Sequence, residues 1–386
     1  MNELNETVSR QFFALLRLAV TGKKEDCLFG DDVEWESLFR LAQSHALTGI
    51  CFAGIEQLPD GQVPPRELLL RWYALVERIK RQNLLVQRRI VELVRRFDGE
   101  GFESVILKGC GVARLYDGPL RPGLRSDEFC AKSRLELLRM SGDIDVWVPY
   151  QNRKRILDYL RATSTSCYMV YHNAEYPVFE DVPVEVHFTP SWFWNPWRNY
   201  RFQRFCRMSA AACVGHRVKM GDAGMVSVPV GGFNKVYILQ HIYRHVFGEG
   251  IGLRQLMDYY FVLAAQPEEG EPESGEKEYR IIRQLGMKRF CAAVMWILQY
   301  VFALSDRCLL CPPDEREGRL LLHEIMTAGN FGQSDERNRH AAHEMAFARL
   351  YRNTRRNLRF LKSYWAEVLC IPFWKMWHFL WRRQFR

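Results

Sequence analysis

The feature that most constrains this chain is a change of hydrophobic period just after residue 97. Across residues 66–97, Leu69, Trp72, Leu75, Val76, Ile79, Leu84, Val86, Ile90, Leu93 and Val94 recur at helical spacing among many arginines, which predicts one long amphipathic helix. The apolar run 102–107 then ends at Lys108-Gly109, and a helical stretch follows through Ala113 and Leu115, so a strand, a turn and a helix are expected. Residues 143–148 alternate acidic and apolar side chains before Pro149 and read as a half-buried strand. Short alternating runs at 166–171, 176–179 and 182–188, separated by His172-Asn173-Ala174 and Glu180-Asp181, predict an antiparallel meander. The fold class is therefore α+β, a small mixed β-sheet set among helices.

On either side the pattern is helical. Residues 3–56 carry apolar positions at helical spacing that suggest two short helices, ended by Pro59, Gly61, Pro64 and Pro65. Another helix begins at 156–160, and helical periodicity returns after Pro229, broken by an acidic segment at 266–278 that reads as an exposed loop. Residues 120–138 are polar and irregular at first and read as a loop or short helical insertion. The expected organisation is a helical N-terminal region (1–65), a sheet-bearing domain (66–228) and a helical C-terminal domain (229–386).

At 386 residues, 48% of them hydrophobic and 13% aromatic, the chain is globular and long enough for two domains. Its net charge of +9 favours nucleic acid, an anionic membrane surface or a phosphorylated substrate without choosing among them. The N-terminus lacks the basic and apolar regions of a signal peptide, and eleven scattered cysteines suit free thiols in a reducing cytoplasm. No stretch approaches the roughly 18 uninterrupted apolar residues of a spanning helix. Cys308 and Cys311 form a lone Cys-X-X-Cys and read as a structural loop. The aromatic, basic segment 373–383 reads as a docked terminal helix, with a peripheral membrane contact or an RNA-stacking surface as the alternatives.

Chemistry concentrates at Gly142-Asp143-Ile144-Asp145. Residues i and i+2 of a strand share a face, so Asp143 and Asp145 present two carboxylates side by side while Ile144 points into the core. Two such carboxylates repel unless a cation lies between them, and magnesium, or manganese, is the expected tenant. Gly142 permits close backbone approach of a bulky triphosphate. Glu185, flanked by valines in Val184-Glu185-Val186-His187, is the candidate third ligand, with His187 on the same face to orient it or touch substrate.

Taken together, Leu107-Lys108-Gly109, Leu115-Tyr116, Arg139 with Gly142-Asp143-Ile144-Asp145-Val146, and Val184-Glu185-Val186-His187 resemble the uncharacterised bacterial nucleotidyltransferase family of the polymerase-beta superfamily. The resemblance covers residues 67–261. It implies a nucleotidyltransferase core with Asp143, Asp145 and Glu185 at the metal positions and Gly109 in the phosphate turn. Lys108 and Arg139 are then candidates for triphosphate contacts. Cys110 stands where many members place serine, a weaker donor to phosphate, and 120–138 is an insertion. His241, His245, Arg254 and Asp258 fall in segments that resemble the helical region after the catalytic domain. His241 and His245 share a helical face, as packing histidines or a substrate-facing patch, and Arg254 is a further substrate-facing candidate.

The expected reaction is transfer of a nucleoside monophosphate from a nucleoside triphosphate such as ATP to an acceptor hydroxyl, with release of pyrophosphate. The acceptor (RNA, protein or small molecule) is not legible from the fold. The rival readings are a non-catalytic nucleotide- or RNA-binding module of the same fold, and a membrane-surface interaction protein.

Overall fold

A computed structural model describes residues 3–23, 29, 33–119, 134–150, 153–164, 166–267, 275–329 and 357–383. Most of the expected insertion (120–133) and the middle of the acidic segment (268–274) lie outside the described residues, as does the tip of the N-terminus. Three helices open the chain: α1 (Glu3–Thr21), α2 (Trp35–Ser44) and α3 (Thr48–Ile55). Only two were expected there, because α3 is buried at all eight positions and so carries no amphipathic period. Its glycines allow close packing: a Cβ at Gly49 would fall 2.2 Å from the carbonyl oxygen of Leu138, and one at Gly54 2.5 Å from that of Leu15.

The long helix is present as α4 (Arg66–Gly99), about 50 Å long at 1.5 Å per residue. Its buried stripe includes Leu68, Trp72, Val76, Val86, Ile90, Val94 and Phe97, but also Asn83 and Gln87. After it come β1 (Val105–Ile106), α5 (Lys108–Ala113), a 3-10 turn, α6 (Leu135–Leu138), β2 (Ile144–Trp147), α7 (Arg153–Thr163), β3 (Asn173–Glu175) and β4 (Val184–His187). These strands form one mixed sheet in the order β1-β2-β4-β3, with β2 and β4 parallel and the other pairs antiparallel. Helix α8 (Pro196–Gly215) and the hairpin β5 (Arg217–Met220) with β6 (Gly224–Ser227), neither of them expected, follow.

Strand alternation then divides the side chains. Ile144, Val146, Val184 and Val186 join an apolar cluster with Ile90, Val94 and Phe97 of α4 and Ile156, Leu157 and Leu160 of α7. Asp145, Trp147, Glu185 and His187 fall on the other face, as a period of two requires. That second face is covered by α9 (Gly231–Gly248), where Phe233 stacks on Trp147 at 5.8 Å. All of β2 is therefore buried, rather than half-buried as expected, because the C-terminal helices close over its polar side.

The expected meander is also corrected. His172-Asn173-Ala174, read as a turn, supplies most of β3, while 176–179 leaves the ladder after Tyr176 donates to the Val184 carbonyl. Asn173 enters the strand because its side chain is buried against Glu185, a use that local turn preference does not foresee.

Helices α10 (Leu253–Ala264), α11 (Glu276–Gln284), α12 (Lys288–Phe302) and α13 (Glu315–Ala328) share a continuous apolar core with α1, α3 and α9. Cys308 and Cys311 are buried within it, the latter 3.6 Å from the Cys291 sulfur. Two helices end the described chain, α14 (Leu361–Val368) and α15 (Cys370–Arg382). Glu367, fully buried, accepts hydrogen bonds from the backbone N–H groups of Trp194 (2.6 Å) and Asn195 (3.3 Å). Trp374 stacks on Trp192 at 5.3 Å, and His378 Nε2 accepts from the Tyr171 N–H. No helix among the described residues is long and apolar enough to cross a membrane.

The Gly49 contact yields a test. Gly49→Ala forces the Leu138 carbonyl aside and is expected to lower stability by about 1–3 kcal/mol in urea unfolding. Gly99→Ala, whose added methyl meets open space, is the control, expected within about 0.5 kcal/mol of the parent.

Candidate active site

The site begins with the sheet register. Parallel pairing of β2 with β4 sets Asp145 opposite Glu185 and Trp147 opposite His187, so two acids and an imidazole project from adjacent positions on one face. On the other side of β2, the Leu107 N–H donates to the Asp145 carbonyl at 2.9 Å, which extends the β1 ladder by one residue and delivers Lys108 to the same place.

Asp145 is 3% exposed, and its Oδ1 receives both the Lys108 ammonium (2.9 Å) and His187 Nε2 (2.8 Å). Burial opposes its ionisation, but Lys108 and His187 outweigh burial and hold the carboxyl at about 2. Glu185 accepts from the Asn173 side-chain amide and lies 3.4 Å from His187 Nε2. The ligand atoms of Asp145, Glu185 and His187 all lie within 4.8 Å of one another, a group that could hold a metal ion. Asp143 stands just before β2, and the charge of Asp145, with burial, raises its carboxyl above the usual range. The acids are crowded and only partly neutralised, and their hard oxygen donors suit a hard divalent cation.

The turn before the site is set by backbone. Lys108 (φ 25°) and Gly109 (φ 47°) both adopt positive φ, a pair of conformations that glycine takes without penalty and lysine does not. Two residues on, a Cβ at Gly111 would lie 2.8 Å from the Ile106 carbonyl oxygen, so the start of α5 presses on β1. Cys110 packs against the sheet's apolar cluster, and burial pushes its thiol up to about 11, which keeps it protonated. Gly142 is exposed, and a Cβ there would meet open space.

Arg139 is engaged elsewhere. Its guanidinium forms a bidentate pair with Asp258 of α10 (2.6 and 2.7 Å), both side chains buried, and Tyr116 donates to the same carboxylate at 2.8 Å. Arg254, one turn earlier on α10, donates to the Met140 carbonyl at 2.9 Å. From α4, Asn83 donates to the carbonyls of Leu137 and Arg139, and Gln87 to Glu136. These contacts hold the irregular segment that leads into Asp143.

The sheet's polar face is closed by α9. His241 and His245, buried with ring centroids 4.4 Å apart, point to the same side, and burial holds His245 down to about 4 and His241 well below its usual value. Residues that sequence reasoning missed cluster beside them. His172 lies 5.5 Å from His187 and 4.1 Å from Trp192, while Tyr237 and Arg244 continue the line of His241 along the helix. The signal was present as ring-bearing and cationic residues at 237, 241 and 244–245, about one turn apart along one side of the helix.

A family model described as an uncharacterised nucleotidyltransferase matches residues 31–123 and 136–303, well over half of the chain. No curated protein and no solved structure matches it.

The buried ion pair can be tested directly. Asp258→Ala leaves the Arg139 guanidinium uncompensated and is expected to cost roughly 3–5 kcal/mol in chemical denaturation. An Arg139→Met/Asp258→Leu double variant is expected to recover most of that loss.

Proposed function

The chain belongs to the uncharacterised nucleotidyltransferase family, and from that premise we propose that it moves a nucleoside monophosphate from a nucleoside triphosphate to an acceptor hydroxyl, using Mg2+ or Mn2+. The observation that carries this reading is the register that sets Asp145 beside Glu185 with Lys108 bound to the first acid. Asp143, Asp145 and Glu185 would hold the ion, and His187 is the positioning residue that orients the Asp145 carboxylate. When bound, the ion offsets the charge of the triphosphate and acidifies the acceptor hydroxyl. The acceptor oxygen attacks the α-phosphorus, and the bond to the bridging oxygen of the β-phosphate breaks. Pyrophosphate leaves with the bonding electrons, and the hydroxyl proton passes to the Glu185 carboxylate. In this reading the turn at Gly109 cradles phosphate, with Lys108 exchanging Asp145 for a phosphate oxygen. Cys110 and Gly142 border the same turn, the thiol as a weak donor. Arg139 serves as a strut rather than a ligand, since Asp258 occupies it, while Arg254, bonded to the Met140 carbonyl through one nitrogen, stays a substrate-facing candidate. ATP and a cytoplasmic setting belong to the same proposal.

The test supplies each labelled triphosphate with Mg2+ or Mn2+ and RNA, protein or small-molecule acceptors. Labelled acceptor and pyrophosphate are expected, abolished by chelator and reduced at least about 100-fold in Asp145→Asn. An Asp143→Asn/Asp145→Asn variant as active as the parent would overturn the reading. Triphosphate binding that needs no metal and gives no product would instead favour the non-catalytic module.

A second reading concerns partners. Trp365 of α14, Leu369 at the junction, and Phe373, Met376 and Leu380 of α15 are each more than half exposed, Phe373 by 70%, and they recur three or four residues apart. Lys375 and Arg383 flank this face, the composition of a helix that lies on an anionic lipid surface. Vesicles of phosphatidylcholine with phosphatidylserine are expected to sediment the parent and to release a Phe373→Ser/Met376→Ser/Leu380→Ser variant. Equal sedimentation of the two removes this contact.

A further inference from the structure

Arg244 has no part in the roles above, yet it is a half-buried cation on the helix that closes over the acids. A guanidinium keeps its proton at any physiological pH, so one withdrawn from water normally meets a carboxylate. Arg139 meets Asp258, and Arg198 meets Glu367. Among the described residues Arg244 forms no ion pair. Its Nη2 donates to His245 Nε2 at 2.7 Å, its guanidinium carbon lies 4.2 Å from the centroid of the Trp192 ring, and its buried Nε has no hydrogen-bond partner. The His245 contact is not a substitute counter-ion. An arginine N–H can only donate, so His245 Nε2 accepts and the ring is neutral, with Nδ1–H toward Glu249 Oε2 at 3.3 Å.

These neighbours fix the guanidinium without neutralising it. Trp192 is itself held by Trp374 and by His172, which leads through His187 to Asp145. The carboxylate that acts most on Arg244 is Glu249, reached through His245 rather than by direct contact, followed by Glu185 and Asp145. Along the same side of α9, Tyr237 and His241 add a hydroxyl and a ring Nδ1, both buried and neither with a hydrogen-bond partner. The polar wall opposite the acids is thus a set of unspent hydrogen-bonding groups around one positive charge.

Charge balance indicates what it awaits. Asp143, Asp145 and Glu185 outnumber Lys108, the cation bound among them, and a single divalent ion cancels the excess of negative charge. A triphosphate entering that neutral site then meets Arg244 as a cation on the facing wall with no carboxylate in direct contact. A planar fork held against an aromatic ring is well matched to phosphate oxygens. We propose that Arg244 binds the phosphates released as pyrophosphate, with His241 and Tyr237 beside it. This assignment rests on the nucleotidyltransferase reading, and it gives α9 the phosphate contact first expected of Arg139.

The test is calorimetric titration of the full chain, in Mg2+ or Mn2+, with inorganic pyrophosphate, each nucleoside triphosphate and each nucleoside monophosphate. Parent, Arg244→Met and Arg244→Lys are compared, with thermal unfolding of each as the check on folding. Arg244→Met is expected to weaken pyrophosphate and triphosphate at least tenfold, with monophosphate binding and the unfolding temperature unchanged. Arg244→Lys is expected to restore only part, and it carries the test alone if the methionine variant misfolds. Pyrophosphate binding equal to the parent's in the folded variants overturns the assignment, as does a loss confined to monophosphate. A parent that binds none of these ligands with either ion overturns the nucleotidyltransferase reading itself, and this inference with it.

Discussion

A guanidinium and a carboxylate, both out of water, fasten the segment on which the site depends. Arg139 and Asp258 meet through two short hydrogen bonds, with Tyr116 on the same carboxylate. The residues between α6 and β2 form no regular structure and cannot satisfy their own carbonyls. Asn83, Arg254 and Arg139 itself do so instead, at the carbonyls of Arg139 and Met140, and Asn83 also takes that of Leu137 at the end of α6. A buried pair of this kind adds little net stability compared with apolar side chains of the same shape. What it contributes here is geometry, tying α10 to the approach to Asp143 so that the acids and the helical half of the chain keep one relative placement.

The elements legible in the sequence were those whose pattern is local. The 3.6-residue period of α4 is carried by its own apolar stripe, and alternation around Asp145 marks β2. The pairing between β2 and β4 was not legible, because parallel strands must be joined by a long crossover and nothing within either segment states the register. Helix α3 hid for the opposite reason, since burial on every side removes the contrast that periodicity needs. Asn83 and Gln87 sit on the buried stripe of α4, where composition reads polarity as solvent exposure.

At the site, the residue types at 143, 145, 185 and 187 were readable because acids between apolar strand positions are costly unless they serve chemistry. Assignments that needed tertiary partners were harder. Arg139 lies four residues before Asp143 in sequence, yet its guanidinium turns to α10, more than a hundred residues away. Arg244 has no motif around it at all; only the folding of α9 over the sheet and the Trp192 ring make it part of the same wall. Single cations in a sequence carry no direction, and direction decides their role.

The contact between Lys108 and Asp145 gives the site a tethered counter-ion. Without it, three carboxylates gathered at one place would push the strands apart, so the fold would depend on capturing an ion before it could close. With it, the sheet stands already assembled, and any arriving ion faces an intramolecular competitor for the same oxygen. Affinity for the ion alone is correspondingly discounted. A ligand that offers the displaced ammonium a new anionic partner restores that discount, so ion and polyphosphate would load as a thermodynamically coupled pair.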